Sequence, residues 1–219
     1  MNSTRLGGAI ILAGGESSRL GFPKPLLELN GRPLVEIIVS RLSLLFEEIT
    51  AVTDCEDLFA DLPVKLTGDL LTGCEKSPLR GIHAGLSVSR LPYQFVVACD
   101  MPFINLELVR YMAAFAPDYD AVVPRIGDHF QPLHAFYSRS SLGSIRRFIE
   151  GGRCKVIDYY DTIRMRPVSY PEVARFDPGQ RSFFNINTWD DYYAARQMLP
   201  GPEPEIDPLK LVNYRGKER

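Results

Sequence analysis

Apolar residues in this chain follow two patterns. One is the short unbroken run. Residues 8–13 are apolar and lead into Gly14-Gly15, and residues 94–99, a glutamine followed by five apolar residues, form the clearest run of all. Unbroken apolar character over this length predicts strands buried on both faces, as in the middle of a parallel sheet. Residues 48–53, 64–67, 121–124, 134–137 and 163–169 predict further strands. The second pattern is a spacing of three and four. Leu34, Ile37, Ile38, Leu42 and Leu45 mark one face of a helix, with Pro33 tolerated at its first turn. Residues 78–90 predict a second helix. Residues 106–115 predict a third, capped by Asn105, and 138–150 a fourth, stopped by Gly151-Gly152. Residues 189–199 predict a last one starting from Asn187-Thr188.

Strands alternating with helices predict an α/β fold, a Rossmann-like three-layer sandwich with a mostly parallel central sheet. In such sheets ligands bind beyond the carboxyl ends of the strands, near the point where strand order reverses. Residues just after strands are therefore the ones to inspect. The length of 219 residues suits one domain, taken as residues 1–200. Residues 201–219 are rich in proline and charge and are expected to form a loosely ordered tail, with 209–214 a segment able to dock back. A domain this size buries roughly 70% of its unfolded surface and needs no disulfide or metal staple.

The formal net charge of −2 gives no basis for nucleic-acid or membrane-surface binding, which leaves a small molecule or a protein as partner. Cys55, Cys74, Cys99 and Cys154 form no C-x-x-C pair, so they are expected to be free thiols in a reducing, cytoplasmic setting. His83, His129 and His134 are scattered and do not suggest a metal triad.

Candidate chemistry sits after the strands. Leu12-Ala-Gly-Gly-Glu-Ser-Ser-Arg-Leu-Gly-Phe-Pro-Lys24 follows the first one directly. Its three glycines let backbone amides approach an anion, Arg19 can grip phosphate oxygens in a fork, and Lys24 adds a compact charge. The segment matches neither the P-loop nor the dinucleotide G-x-G-x-x-G. Asp100 ends the clearest strand, where a carboxylate enters the ligand crevice and suits Mg²⁺. Asp69, in Thr67-Gly-Asp69, reads alone as a turn residue. Ser77-Pro-Leu-Arg-Gly-Ile-His-Ala-Gly85 suggests a loop entering a helix with close backbone approach. In Phe183-Phe-Asn-Ile-Asn-Thr188, Asn187 or Thr188 can cap the last helix, whereas Asn185 has no such structural explanation. Neither a nucleophile elbow nor a serine triad is present in the sequence.

Together these segments resemble the molybdopterin nucleotidyltransferase family of molybdenum-cofactor biosynthesis, and within it the molybdenum cofactor guanylyltransferases. The family patterns L-A-G-G-x-x-x-R-[ML]-G-x-x-K, P-L-x-G-[IM], C-D-x-P, [QH]-P-L and N-[VI]-N-T match Leu12 to Lys24, Pro78 to Ile82, Cys99 to Pro102, Gln131 to Leu133 and Asn185 to Thr188, in that order. The resemblance covers about residues 8–199. Departures are Ser77 where the family usually has glycine, Arg80 where a small residue is common, and Gly152-Arg-Cys-Lys-Val156 for a Gly-x-x-x-Val stretch.

The resemblance implies a Mg²⁺-dependent enzyme that transfers GMP from GTP to the phosphate of molybdenum-molybdopterin and releases pyrophosphate. Leu12, Ala13, Gly14 and Gly15, with Pro78, Leu79 and Gly81, would hold the guanine. Asp69 would contact the nucleoside, Lys24 the phosphates, and Asp100 the metal. Arg19 and Lys24 would stabilise the departing pyrophosphate, while Asn185 and Asn187 would line the pterin side. Molybdoenzymes or other cofactor-biosynthesis proteins are the implied protein partners. The alternatives are a molybdopterin cytidylyltransferase, which would carry L-A-A-G in place of Leu12-Ala-Gly-Gly15, another small nucleotidyltransferase, and a non-catalytic nucleotide-binding regulator of cofactor delivery.

Overall fold

The structure is a computed structural model that describes residues 6–14, 23–71 and 77–199. In chain order the elements are β1 (Leu6–Leu12), β2 (Glu28–Leu29), β3 (Arg32–Pro33), α1 (Leu34–Leu42), β4 (Phe46–Val52), β5 (Lys65–Thr67), α2 (Pro78–Val88), β6 (Tyr93–Ala98), α3 (Leu106–Ala113), β7 (Ala121–Ile126), β8 (His129–Phe130), β9 (His134–Ser138), α4 (Leu142–Glu150), α5 (Val156–Tyr159), β10 (Met165–Ser169), α6 (Tyr170–Val173) and α7 (Trp189–Met198).

The main sheet has the order β10-β7-β9-β6-β1-β4-β5, with β8 paired to β7. The pairs β1–β4, β1–β6, β4–β5 and β7–β10 are parallel. Strand β9 runs antiparallel to both β6 and β7, so the sheet is mixed though mostly parallel. Its burial pattern is that of a strand covered on both faces, and nothing in such a pattern encodes direction.

Side chains of successive strand residues point to opposite faces and build two cores. Ala9, Ile11, Phe95 and Val97 pack under α1 and α3 through Val35, Ile38, Leu42, Leu108 and Met112. Ile10, Leu12 and Val96 pack under α2, α4 and α5 through Leu79, Ile82, Leu86, Ile145, Phe148 and Tyr159. This is the expected three-layer arrangement. A third cluster seats α7 on the β2–β3 hairpin through Leu27, Leu29, Leu34, Ile186, Tyr192 and Ala195, and the Tyr192 hydroxyl donates to the Glu28 carbonyl at 2.9 Å.

Three local readings hold in atomic detail. Asn105 caps α3 by accepting from the amides of Glu107 and Leu108 at 3.0 Å each. Gly151 ends α4. Close backbone approach at α2 is met at Gly85, where an added Cβ would lie 2.6 Å from Ile10 Cδ1. One reading fails: Cys154 is disulfide-bonded, whereas Cys55 and Cys99 are free. Sequence spacing alone does not reveal which cysteines approach in space. Among the described residues no helix is long and apolar enough to cross a membrane.

Candidate functional site

From β1 the chain steps outward through β4 to β5, then returns to the other side of β1 as β6. Strand order therefore reverses at β1–β6, which makes the carboxyl ends of these strands the crevice. The register lines up the last residues of four strands, Ala98, Leu12, Val52 and Thr67. Asp100 and Asp69 each lie two residues beyond that row. They sit three interstrand steps apart, about 14 Å at ordinary spacing.

At the β6 end, Lys24 Nζ donates to Asp100 Oδ2 at 2.8 Å and to Asn187 Oδ1 at 2.6 Å. The lysine and aspartate side chains are 19% and 14% exposed, so the ion pair is shielded yet reachable. Asp100 Oδ1 is buried and has no hydrogen-bond partner among the described residues. One oxygen of this carboxylate therefore holds the lysine, and the other could hold a cation. The segment carrying Asn187 is tied to the strand end by the Ile186 amide, which donates to the Asp100 carbonyl at 3.0 Å.

Asp191 adds a second carboxylate behind Asn187. Its Oδ2 accepts from the amides of Asn187 and Thr188 at 3.0 and 2.9 Å and from the Thr188 hydroxyl at 2.9 Å. Burial acts to raise its pKa, but these bonds and the Lys24 charge outweigh burial and lower it. Thr188 is the cap of α7, which answers the choice between Asn187 and Thr188. Sequence reading missed Asp191, although Thr188-Trp-Asp-Asp191 has the spacing of a capping box with aspartate as its acid.

At the β5 end, Asp69 Oδ2 lies 3.2 Å from Arg80 Nη2, and both side chains are largely buried. Arg80, one of the departures from the family pattern, thus shields and orients the aspartate. Pro78, Leu79 and Gly81 belong to the first turns of α2. Leu79 is fully buried, and a Cβ on Gly81 would meet Leu12 Cδ2 at 3.0 Å. These two positions fit the helix to β1, and only their backbone remains to offer a ligand.

The remaining expected residues are placed as follows. Leu12 packs in the core, its carbonyl accepting from the Cys99 amide at 3.0 Å, while the Ala13 amide donates to the Val52 carbonyl at 2.9 Å. Gly14 is exposed, with no atom of the described residues within 4 Å of an added Cβ. Asn185 lies outside the lysine array and donates to the Phe183 carbonyl at 3.0 Å. Gly15 and Arg19 lie outside the described residues. Burial and the neighbouring Asp100 charge push the Cys99 thiol up to about 12, so it does not serve as a nucleophile.

A doubly covered sheet with a lysine–carboxylate pair at its switch point is the layout of a nucleotide-handling α/β domain. Within that class the chain belongs to the MobA-like NTP transferase domain family, which matches residues 9–163. It is 37% identical over 205 residues to a probable molybdenum cofactor guanylyltransferase of Peptoclostridium acidaminophilum, covering 90% of this chain and 92% of that one. It is 34% identical to a molybdenum cofactor guanylyltransferase of Syntrophotalea carbinolica, covering 90% and 94%. The crystal structure of molybdopterin-guanine dinucleotide biosynthesis protein A from Archaeoglobus fulgidus superposes with a TM-score of 0.76 at 27% identity, over 87% of this chain and 97% of that one.

Proposed function

We propose that this protein transfers GMP from GTP to the phosphate of a molybdopterin-type cofactor, releasing pyrophosphate. The observation that carries the reading is the Lys24–Asp100–Asn187 array at the switch point. The relatives' names supply the nucleotide and the acceptor class.

Asp100 fits a divalent cation, Mg²⁺ in this reading, because its Oδ1 is buried without a partner among the described residues. Mg²⁺ is usually held by only one or two carboxylates together with substrate phosphates, so a single protein carboxylate suffices. When bound, the ion would neutralise charge on the phosphates. Lys24 binds the triphosphate and, with Arg19, stabilises the leaving pyrophosphate. Asn187 keeps the ammonium in place, and Asn185 faces the acceptor side. Asp69, steadied by Arg80, binds the nucleoside. The backbone of residues 12–15 and the first turn of α2 seat the guanine. The acceptor phosphate attacks already ionised, so no general base is required, and positioning and charge do most of the work.

The test is pyrophosphate release with GTP, CTP, ATP and UTP against molybdopterin and Mg²⁺. Release with GTP is the expected result. Preference for CTP would make the protein a cytidylyltransferase, and absence of release with all four would leave a nucleotide-binding regulator.

A further inference from the structure

Asn187 holds the lysine at 2.6 Å although it sits outside any regular element, one residue before the cap of α7. A contact that short needs a fixed backbone. The Asp100 carbonyl supplies one anchor through the Ile186 amide. Asp191 supplies the other, and it does more than a helix cap requires. An ordinary capping box links the cap residue and the third helical residue reciprocally. The chain contains such a box at α6, where Glu172 Oε2 takes the amide and hydroxyl of Ser169. At α7 the Asp191 carboxylate takes the corresponding two groups of Thr188 and reaches one residue further, to the Asn187 amide at 3.0 Å. The extra bond falls on the residue that holds Lys24. The Asp191 and Lys24 charges also act on each other.

We propose that Asp191 is a positioning residue for Lys24, acting through Asn187. It fixes the Asn187 backbone so that the amide oxygen and Asp100 together set where the ammonium stands. This inference rests on the reading of Lys24 as the phosphate-binding lysine. Loss of Asp191 then leaves every substrate-contacting group present but lets Lys24 wander, and small misplacements of that kind cost rate more than affinity.

The experiment compares steady-state GTP-dependent transfer and thermal unfolding in wild type, Asp191→Ala, Asp191→Asn, Asn187→Ala, the Asn187→Ala/Asp191→Ala double variant, and Ser169→Ala as a matched loss of a remote cap. In Asp191→Ala kcat is expected to fall about ten-fold or more while KM for GTP changes less than about three-fold. Its stability loss should be somewhat larger than that of Ser169→Ala, which leaves the backbone bond of its box in place and keeps wild-type kcat. Asp191→Asn retains an acceptor oxygen for both amides and should recover most of the rate. The double variant should be no slower than Asn187→Ala, because both changes remove one device. Asp191→Ser, too short to reach both amides, is read the same way if the alanine variant does not fold. A kcat within two-fold of wild type in Asp191→Ala, or a loss that adds fully to that of Asn187→Ala, overturns the proposal. Absence of turnover in the wild type is a different failure and overturns the parent reading instead.

Discussion

Lys24 Nζ stands 2.8 Å from Asp100 Oδ2, joining the loop after β1 to the end of β6 across the point where strand order reverses. The carboxylate is thus divided, with the lysine on one oxygen while the other is buried without a partner among the described residues. Asp100→Asn keeps the shape and a carbonyl acceptor for Lys24 but removes the charge a cation needs. Pyrophosphate release should fall about 100-fold or more, as when a single electrostatic group is removed from other active sites. The unfolding temperature should change little, because Lys24 retains Asn187. Retention of near-normal Mg²⁺-dependent release would show that the cation, if used, binds elsewhere.

Lys24→Ala separates phosphate from base. A charge-assisted hydrogen bond is worth about 1.5–3 kcal/mol, so GTP affinity should drop about 10- to 100-fold while guanosine binding stays unchanged. Calorimetry with both ligands decides it. Equal losses for the two would place the lysine against the nucleoside or in loop structure.

The sequence made the layers legible because apolar runs and three-four spacing report burial directly. It was less informative wherever partner or direction matters. The apolar pattern of β9 is the same for either orientation, and its antiparallel course depends on the short return from β7. The β2–β3 hairpin went unpredicted although Asn30-Gly31, both at positive φ (51° and 74°), is the residue pair that favours a two-residue turn. In the site, Lys24 and Asp100 were legible as chemistry, but their contact and the Asn187 bridge join residues 76 and 163 positions apart. Asp191 was hidden because a capping acid looks the same whether or not its backbone partner holds a lysine such as Lys24.

Gly85 tests the close packing that places α2 over β1. Gly85→Ala puts a methyl 2.6 Å from Ile10 Cδ1, in a side chain that is fully buried and has nowhere to retreat. Overpacking of this kind costs about 1–3 kcal/mol. Urea unfolding should show that loss. An unchanged midpoint would mean that α2 shifts along the sheet, and then the Asp69–Arg80 pair should be disturbed and GTP use should fall.

Acid should weaken the fold before carboxylates protonate. His134 is fully buried between Phe95 and Phe183, with both ring nitrogens unpartnered among the described residues. Burial holds its pKa down to about 3 against a weak upward pull from Asp177. Between pH 6.5 and about 3 the unfolded chain accepts a proton that the folded chain refuses, so stability falls as pH falls, by at most about 1.4 kcal/mol per pH unit. His83, lowered by burial and by Arg146, adds a contribution of the same sign. Glu172 enters at lower pH. Burial acts to raise its pKa, but Arg166, Ser169 and Tyr111 hold it at about 2, so its contribution is present above 4.5 and lost as pH falls toward 2. Urea midpoints from pH 7 to 4.5 should therefore decline in the wild type and decline less in His134→Phe. Identical slopes would show that a bound water or a local opening lets His134 protonate in the folded state.

Gly14→Ala asks whether the glycine after β1 selects the base. The residues that resemble Leu12-Ala-Gly-Gly15 carry alanine in place of this glycine in the cytidylyl-transferring pattern. Among the described residues nothing demands glycine here. Its φ lies outside the left-handed region, it is exposed, and no described atom lies within 4 Å of an added Cβ. The substitution should therefore leave stability unchanged, so any effect on catalysis comes from the ligand. A methyl at this point narrows the pocket more for a purine than for a pyrimidine. Packing differences of one carbon are worth about 1–3 kcal/mol, so the expected result is a ten-fold or larger shift in the GTP-to-CTP ratio of kcat/KM, at about that energy, without a complete switch. The two efficiencies are measured side by side in wild type and variant, with unfolding temperature as the control. If both efficiencies fall together at an unchanged ratio, the glycine serves approach of the phosphates and base selection lies elsewhere, with Arg80 and Asp69 the next residues to vary.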